Sequence, residues 1–287
     1  MEKLQIHTPI DLKNGRLVLA FSGWMDGGDV STGTVKRLTE ALDTIPVAEI
    51  EPEGFYIYNF PADMEVSARF RPHIKIEDGI VRRFEIPRCQ FYCNREHQLA
   101  FFIGKEPNLK WAEFAQCIFD FVSECSISSI LFVGSFAGSV PHTREPRLHV
   151  SASEPRLRDR LKKYGLRPTN YEGPGSFMTY LTTQATIRGL EMANIAAEIP
   201  SYVQGPNPSS IEAVTRRLAA ILKLEVDLSR YRSASNDWES HVTKAIEEDE
   251  DLLEQVRKLE KLYDDELLKT GEIDLPDDLD LFGPDED

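Results

Sequence analysis

The sequence predicts an α/β protein: helices and strands alternate around a mostly parallel sheet that carries an antiparallel patch. Three observations carry this. A buried strand passes through a glycine turn into a helix within residues 16–43, a helix and an apolar strand repeat that texture at 110–134, and helices alternate with an apolar run from there to residue 222. The antiparallel patch is expected between 55 and 103, where short β-rich runs are separated by proline and Asp-Gly signals.

Residues 16–30 read RLVLAFSGWMDGGDV. The apolar residues 17–21 suit a buried strand, Gly23, Gly27 and Gly28 suit a tight turn, and a helix is expected from about 29 to 43, with Val30, Val35, Leu38 and Leu42 near helical spacing. Strands are then expected at 55–58, 80–86, 90–93 and 98–103. A helix follows at 110–124, where Trp111, Phe114, Ala115, Ile118, Phe121 and Val122 share one face, and a buried strand at 130–133 ends in Gly134. Further helices are expected at 155–164, 176–190 and 208–222, with an apolar run at 194–199.

Charge divides the chain. Residues 237–287 hold 20 acids and 5 bases, while the first 236 residues hold 28 of each, so the net charge of -15 belongs to the C-terminal extension. An acidic extension opposes nonspecific binding to nucleic acid and to anionic membrane, and it suits a basic protein partner. Three parts are expected: an α/β domain over 1–235, an acidic amphipathic helical extension over 236–269, and a disordered acidic tail over 270–287. In the extension, Val242, Ile246, Leu253, Val256, Tyr263 and Leu267 recur at steps of three, four or seven residues and form a candidate partner-binding stripe. That stripe either packs on its own domain, zips with another subunit or receives a client. In the tail, Leu275, Leu279, Leu281 and Phe282 stand among acids, as a short docking motif or within a solubilising tail. The four cysteines form no C-x-x-C pair, and no segment approaches the about 18 apolar residues of a membrane span, so a cytoplasmic protein is expected.

Several motifs come close to known chemistry without completing it. Gly23 to Gly28 has the spacing that opens a phosphate loop, but Asp29 and Val30 stand where its lysine and hydroxyl belong. A carboxylate there repels phosphate, and valine cannot ligate magnesium. Asp26 and Asp29 could be paired carboxylates, or acids that cap the helix or meet its N-terminal dipole. The segment SFAGSVPHTREP at 135–146 follows a strand end, where α/β sheets place ligands; His142 could act as acid or base and Arg144 could hold an oxyanion, or both could fix the loop beside Thr143. Ser135 lies one step too early for the hydrolase elbow. Gly173 and Gly175 precede a helix in a turn that could bind an anion, with Ser176 near the cap. No metal-ligand spacing is present, and no cofactor is expected.

Taken in order, residues 21–28 (FSGWMDGG), 106–111 (EPNLKW), 140–144 (VPHTR) and 199–202 (IPSY) resemble the PAC2 family of proteasome-assembly-chaperone-like proteins. The resemblance implies a phosphorylase/hydrolase-like three-layer α/β/α sandwich that forms homo-oligomers, a trimer being one such assembly, and that binds proteasome subunits or other proteins. Archaeal relatives can dock through a C-terminal hydrophobic-tyrosine motif, whereas this chain reads Asp285-Glu286-Asp287 there.

Two readings follow. The leading one is a non-enzymatic, homo-oligomeric protein-binding module of assembly-chaperone type. Its candidate pocket or interface is Trp24, Asp26, Gly27, Gly28, His142, Thr143, Arg144, Gly173 and Gly175. The rival is a nucleoside or phosphate transferase or hydrolase built on Asp26, His142, Arg144 and the Gly173 to Gly175 turn.

Overall fold

The computed structural model describes residues 3–270, without the side chains of Arg230 and Thr270. The chain runs β1 (Leu4–Ile6), β2 (Gly15–Ser22), α1 (Val30–Ala41), β3 (Ile45–Ile50), α2 (Met64–Ala68), β4 (His73–Glu77), β5 (Ile80–Glu85), β6 (Gln90–Asn94) and β7 (Leu99–Lys105). It continues through α3 (Trp111–Glu124), β8 (Ile127–Gly138), β9 (Leu148–Ala152), α4 (Pro155–Lys162), β10 (Arg167–Pro168), α5 (Phe177–Ile187), β11 (Glu191–Pro200), α6 (Pro208–Leu222), α7 (Ser229–Glu247) and α8 (Glu250–Thr270).

One nine-stranded sheet has the order β1-β3-β6-β7-β2-β8-β11-β9-β10. Its centre is parallel: β7, β2, β8 and β11 all run the same way, and the longest register pairs β8 with β11 from Ser129↔Glu191 to Gly138↔Pro200. The antiparallel pairs lie outside this centre, at β1–β3, β3–β6, β6–β7 and β9–β11. Strand alternation then sorts the side chains into two cores. Leu17, Leu19, Phe21, Ile130 and Phe132 face Phe114, Ile118 and Phe121 of α3 and Phe177 and Leu181 of α5. Val18, Ala20, Leu131 and Val133 face the opposite layer, with Val35 and Leu38 of α1, Leu157 and Leu161 of α4, and Val214 and Leu218 of α6. The fold is therefore the expected three-layer α/β/α sandwich.

Several elements differ from their sequence reading. Residues 55–58 form no strand; Phe55 is fully buried, and its carbonyl accepts from the backbone N–H groups of Asn108 and Leu109, so its apolarity plugs a core. The strand expected to end at Gly134 runs on to Gly138, so the following loop starts at Ser139. The helical extension is divided: α7 begins at Ser229 against α6, and α8 starts afresh where the Asp249 carboxylate accepts from the Leu252 N–H at 3.0 Å. The tail expected over 270–287 lies, from Gly271 on, outside the described residues.

Phe114 ties the larger aromatic core together, with ring centroids 5.0 Å from Phe55, 5.5 Å from Phe177 and 6.1 Å from Phe21. Phe114→Ala is expected to lower unfolding stability by about 3–5 kcal/mol, read from urea midpoints. A loss under about 1 kcal/mol would show that α3 is not anchored there.

Candidate functional site

The C-terminal ends of the parallel strands gather three features that the sequence singled out. At the first, β2 turns through Gly27 and Gly28 into α1, the strand–turn–helix of a phosphate loop. Ser135 of β8 fastens the turn: its N–H donates to Met25 O at 2.8 Å and its hydroxyl to Gly27 O at 2.7 Å. A serine so engaged is structural. Gly28 has φ 64°, and a Cβ there would stand 2.8 Å from the Asn207 Cβ, so the position requires glycine. Asp26 reaches the helix start, where its carboxylate accepts from the Thr32 N–H at 3.0 Å and the Thr32 hydroxyl at 2.8 Å. It stands at the helix N-terminus, the end that attracts anions. Burial pushes its pKa up to about 6, against the lowering effect of the Thr32 bonds.

At the second, the turn holding Gly173 and Gly175 leads into α5, where the Ser176 hydroxyl accepts from the Thr179 N–H as the expected cap. The first free amide of α5, Phe177 N–H, donates to Glu106 at 2.9 Å, and the other oxygen of Glu106 accepts from Trp24 N–H at 3.0 Å. Glu106 thus joins the α5 start to the first turn, a role its sequence did not disclose. The Trp24 side chain is left 69% exposed.

At the third, the turn carrying His142, Thr143 and Arg144 lies under α7 and α8. The Tyr202 hydroxyl accepts from His142 N–H and lies 2.8 Å from Nδ1, while Nε2 lies 3.0 Å from the Thr243 hydroxyl. With the tyrosine proton pointing at Nδ1, Nε2–H donates to Thr243. Burial lowers the His142 pKa and raises that of Tyr202 to about 12, consistent with a neutral pair. Arg144 makes a two-pronged bond to Asp264, Nε to Oδ1 at 2.8 Å and Nη2 to Oδ2 at 2.9 Å, and the Thr143 hydroxyl donates to Glu260. Beside it, Arg147 and Arg167 both bind Glu266, at 2.6 and 2.7 Å. Tyr263 lies under the Arg147 guanidinium, and its hydroxyl donates to Glu145 O at 3.0 Å.

Ile246, Val256 and Tyr263 of the candidate stripe are buried, whereas Val242, Leu253 and Leu267 remain half-buried. The buried three thus pack within the chain. The recess between Pro141, His142, Asn207 and Trp238 leaves no room for even a water molecule, far short of the roughly 300–1,000 Å³ of small-molecule sites. Asn207 links this recess to the first turn, since its N–H donates to Gly28 O at 2.8 Å. The Gly173 and Gly175 turn is joined to Trp24 through Glu106, and a Cβ at Gly175 would meet nothing within 4 Å. Sequence reasoning also passed over Glu198, which lies inside an apolar run. It accepts from Ser139 N–H at 2.7 Å and pairs with Arg147 and His149, and these partners hold its pKa below the usual carboxylate range. A lone acid in a buried strand must find such partners, and that was the available signal.

No group of three or more His, Cys, Asp or Glu residues suited to a metal occurs among the described residues. No helix among them is long and apolar enough to cross a membrane. The four cysteines are buried free thiols.

This sandwich, with its strand-end turns, defines an α/β/α scaffold of a recognisable class. The chain matches the PAC2 family over residues 20–246 and belongs to it. Among solved structures, it is similar to a proteasome-assembly chaperone homologue of Mycobacterium tuberculosis, with 28% identity and TM-score 0.72, covering 84% of this chain and 99% of the other. A protein of unknown function from Corynebacterium glutamicum superposes with TM-score 0.81 at 21% identity, covering 93% and 99%. A PAC2 family protein from Streptomyces avermitilis does so with TM-score 0.70 at 24% identity, covering 84% and 99%. No curated protein matches the chain.

Two outcomes test the site's construction. Asp26 ionises near 6 in the folded chain and at its ordinary 3.8 when unfolded, so its contribution to stability is full below about pH 4 and is lost as pH rises through about 6. Asp26→Asn should therefore gain on the wild type between pH 4 and 7 in urea midpoints; a constant difference would contradict the raised pKa. Tyr263→Ala should cost about 3–5 kcal/mol and speed hydrogen exchange in α8 more than in α6. Unchanged exchange in α8 would mean that Tyr263 does not hold the arm.

Proposed function

We propose that this chain is a non-enzymatic protein-binding module of assembly-chaperone type, acting as a homo-oligomer on protein clients that include proteasome subunits. One observation carries the reading: each of the three strand-end places singled out above already holds a carboxylate of the chain. Asp26 occupies the start of α1, Glu106 the start of α5, and Asp264 the fork of Arg144. His142, the one candidate base at the third place, has both ring nitrogens engaged by Tyr202 and Thr243. What remains open at the strand ends is a surface carrying Trp24, the residue type that most often anchors protein interfaces. Its backbone is held by Glu106, so the anchor is in place before a client arrives. Membership of the PAC2 family and similarity to a proteasome-assembly chaperone homologue support the same reading and suggest the client class.

The test pairs two measurements. A thermal-shift screen against phosphate, nucleosides and nucleotides should leave the melting temperature unmoved, whereas a ligand present at 100 times its Kd would add about 2.7 kcal/mol. Purified proteasome subunits should bind the full chain, and Trp24→Ala should weaken that binding about tenfold or more while melting at the wild-type temperature. A strong nucleotide shift without subunit binding would overturn the proposal.

A further inference from the structure

The β4–β5 hairpin is unlike the rest of the fold. Its strands pair with each other in a separate two-stranded sheet, and no other strand among the described residues pairs with its edges. The register sets Ile74 opposite Phe84 and Ile76 opposite Val81, and because Ile74 and Ile76 are two residues apart these four side chains share one face. They are 46, 61, 55 and 60% exposed, respectively. The other face carries Lys75, Glu77, Arg83 and Glu85, joined along each strand by Lys75–Glu77 and Arg83–Glu85 ion pairs. An isolated two-stranded hairpin is marginal in water, and a contiguous apolar face on one marks an interaction site.

Charge indicates the occupant. The chain as a whole carries -15, yet residues 69–88, which contain the hairpin, hold six Arg and Lys against three acids. Residues 271–287 hold eight acids and no base, with Ile273, Leu275, Leu279, Leu281 and Phe282 set among them. This is the complement in both respects: apolar side chains for the Ile74 and Phe84 face, carboxylates for the basic residues of 69–88 around it. Topology indicates which copy supplies it. The end of α8 is held at β9 and β10 by Arg147 and Arg167, whereas the hairpin is inserted between β3 and β6. From β10 to β6 is six strand spacings, about 29 Å, which about nine fully extended residues would consume. Within one chain, most of the apolar residues would be spent on the crossing. Between chains they are free to dock.

We propose that the apolar face of the β4–β5 hairpin binds the acidic segment 272–282 of a neighbouring copy, linking successive copies head to tail. This contact is independent of the client surface at Trp24. The test mixes two full-length variants: Phe84→Asp, which loses the hairpin face and keeps the tail, and Leu279→Asp/Leu281→Asp/Phe282→Asp, which loses the tail and keeps the hairpin. Each alone should sediment below the wild type, and an equimolar mixture should form a complex heavier than either, because one intact contact is restored. A full-length Arg82→Glu/Arg83→Glu chain, whose apolar quartet is whole, should also associate more weakly, with the wild-type contact weakening as salt rises. If the tail variant self-associates like the wild type, the hairpins pair with each other and the proposal fails. If none of the variants changes the wild-type mass, the hairpin serves an outside partner and the proposal fails equally.

Discussion

The carboxylate of Asp26 at the first turn of α1 fixes the character of the whole strand-end surface. A glycine turn between a parallel strand and a helix leaves backbone N–H groups pointing outwards, and those groups need an acceptor. In a nucleotide-binding loop the ligand supplies it. Here the chain supplies its own, and the same solution recurs where Glu106 meets α5 and where Asp264 meets Arg144. The cost is visible at Asp26, whose ionisation is held back by burial and supported by two bonds from Thr32. In return the turns are organised without a ligand, which gives a surface that keeps its shape whether or not anything is bound.

The division of charge along the sequence follows the same logic. Acids gathered after residue 236 look like a feature directed outwards, yet Glu260, Asp264 and Glu266 meet Thr143, Arg144, Arg147 and Arg167 of the same chain. These partly exposed pairs are individually weak in water. Their effect is to fix the register of an arm whose binding energy comes from Ile246, Val256 and Tyr263, all buried. Through these three acids the extension is tied over the third turn.

Much of the fold was legible because alternation and helical spacing record burial directly. β2, α1, α3 and α6 lie within a residue or two of their expected ranges, and Ser176 caps α5 as expected. What failed to show was anything decided by a distant partner. Phe55 and Tyr56 read as strand because a residue that plugs a core is as apolar as one in a sheet. The short edge strands β1 and β10 have too few residues to display a period. At the site, His142 and Arg144 were recognisable as polar residues at a strand end, but their commitment to Tyr202, Thr243 and Asp264 depends on contacts spanning 60 to 120 residues. Glu106 and Glu198 were hidden for the same reason, since a buried acid signals that partners exist without naming them.

Self-supplied acceptors are also what the proposed binding role asks of an α/β/α sandwich. A catalytic site keeps donors unfilled so that a transition state can use them, which leaves the surrounding turns underdetermined until substrate arrives. Here the donors are filled by the chain's own carboxylates, which tie the same loops together. Trp24 shows the consequence most directly: its backbone is pinned by an oxygen of Glu106 whose twin holds α5, so the indole projects from a point where two layers of the fold are tied together. Little backbone ordering entropy remains to be lost there when the side chain is covered. The residue that first marked this loop as a failed phosphate site, Asp29, is exposed in a left-handed conformation and takes no part in that tie. The work of the missing phosphate falls instead to Asp26, three residues earlier.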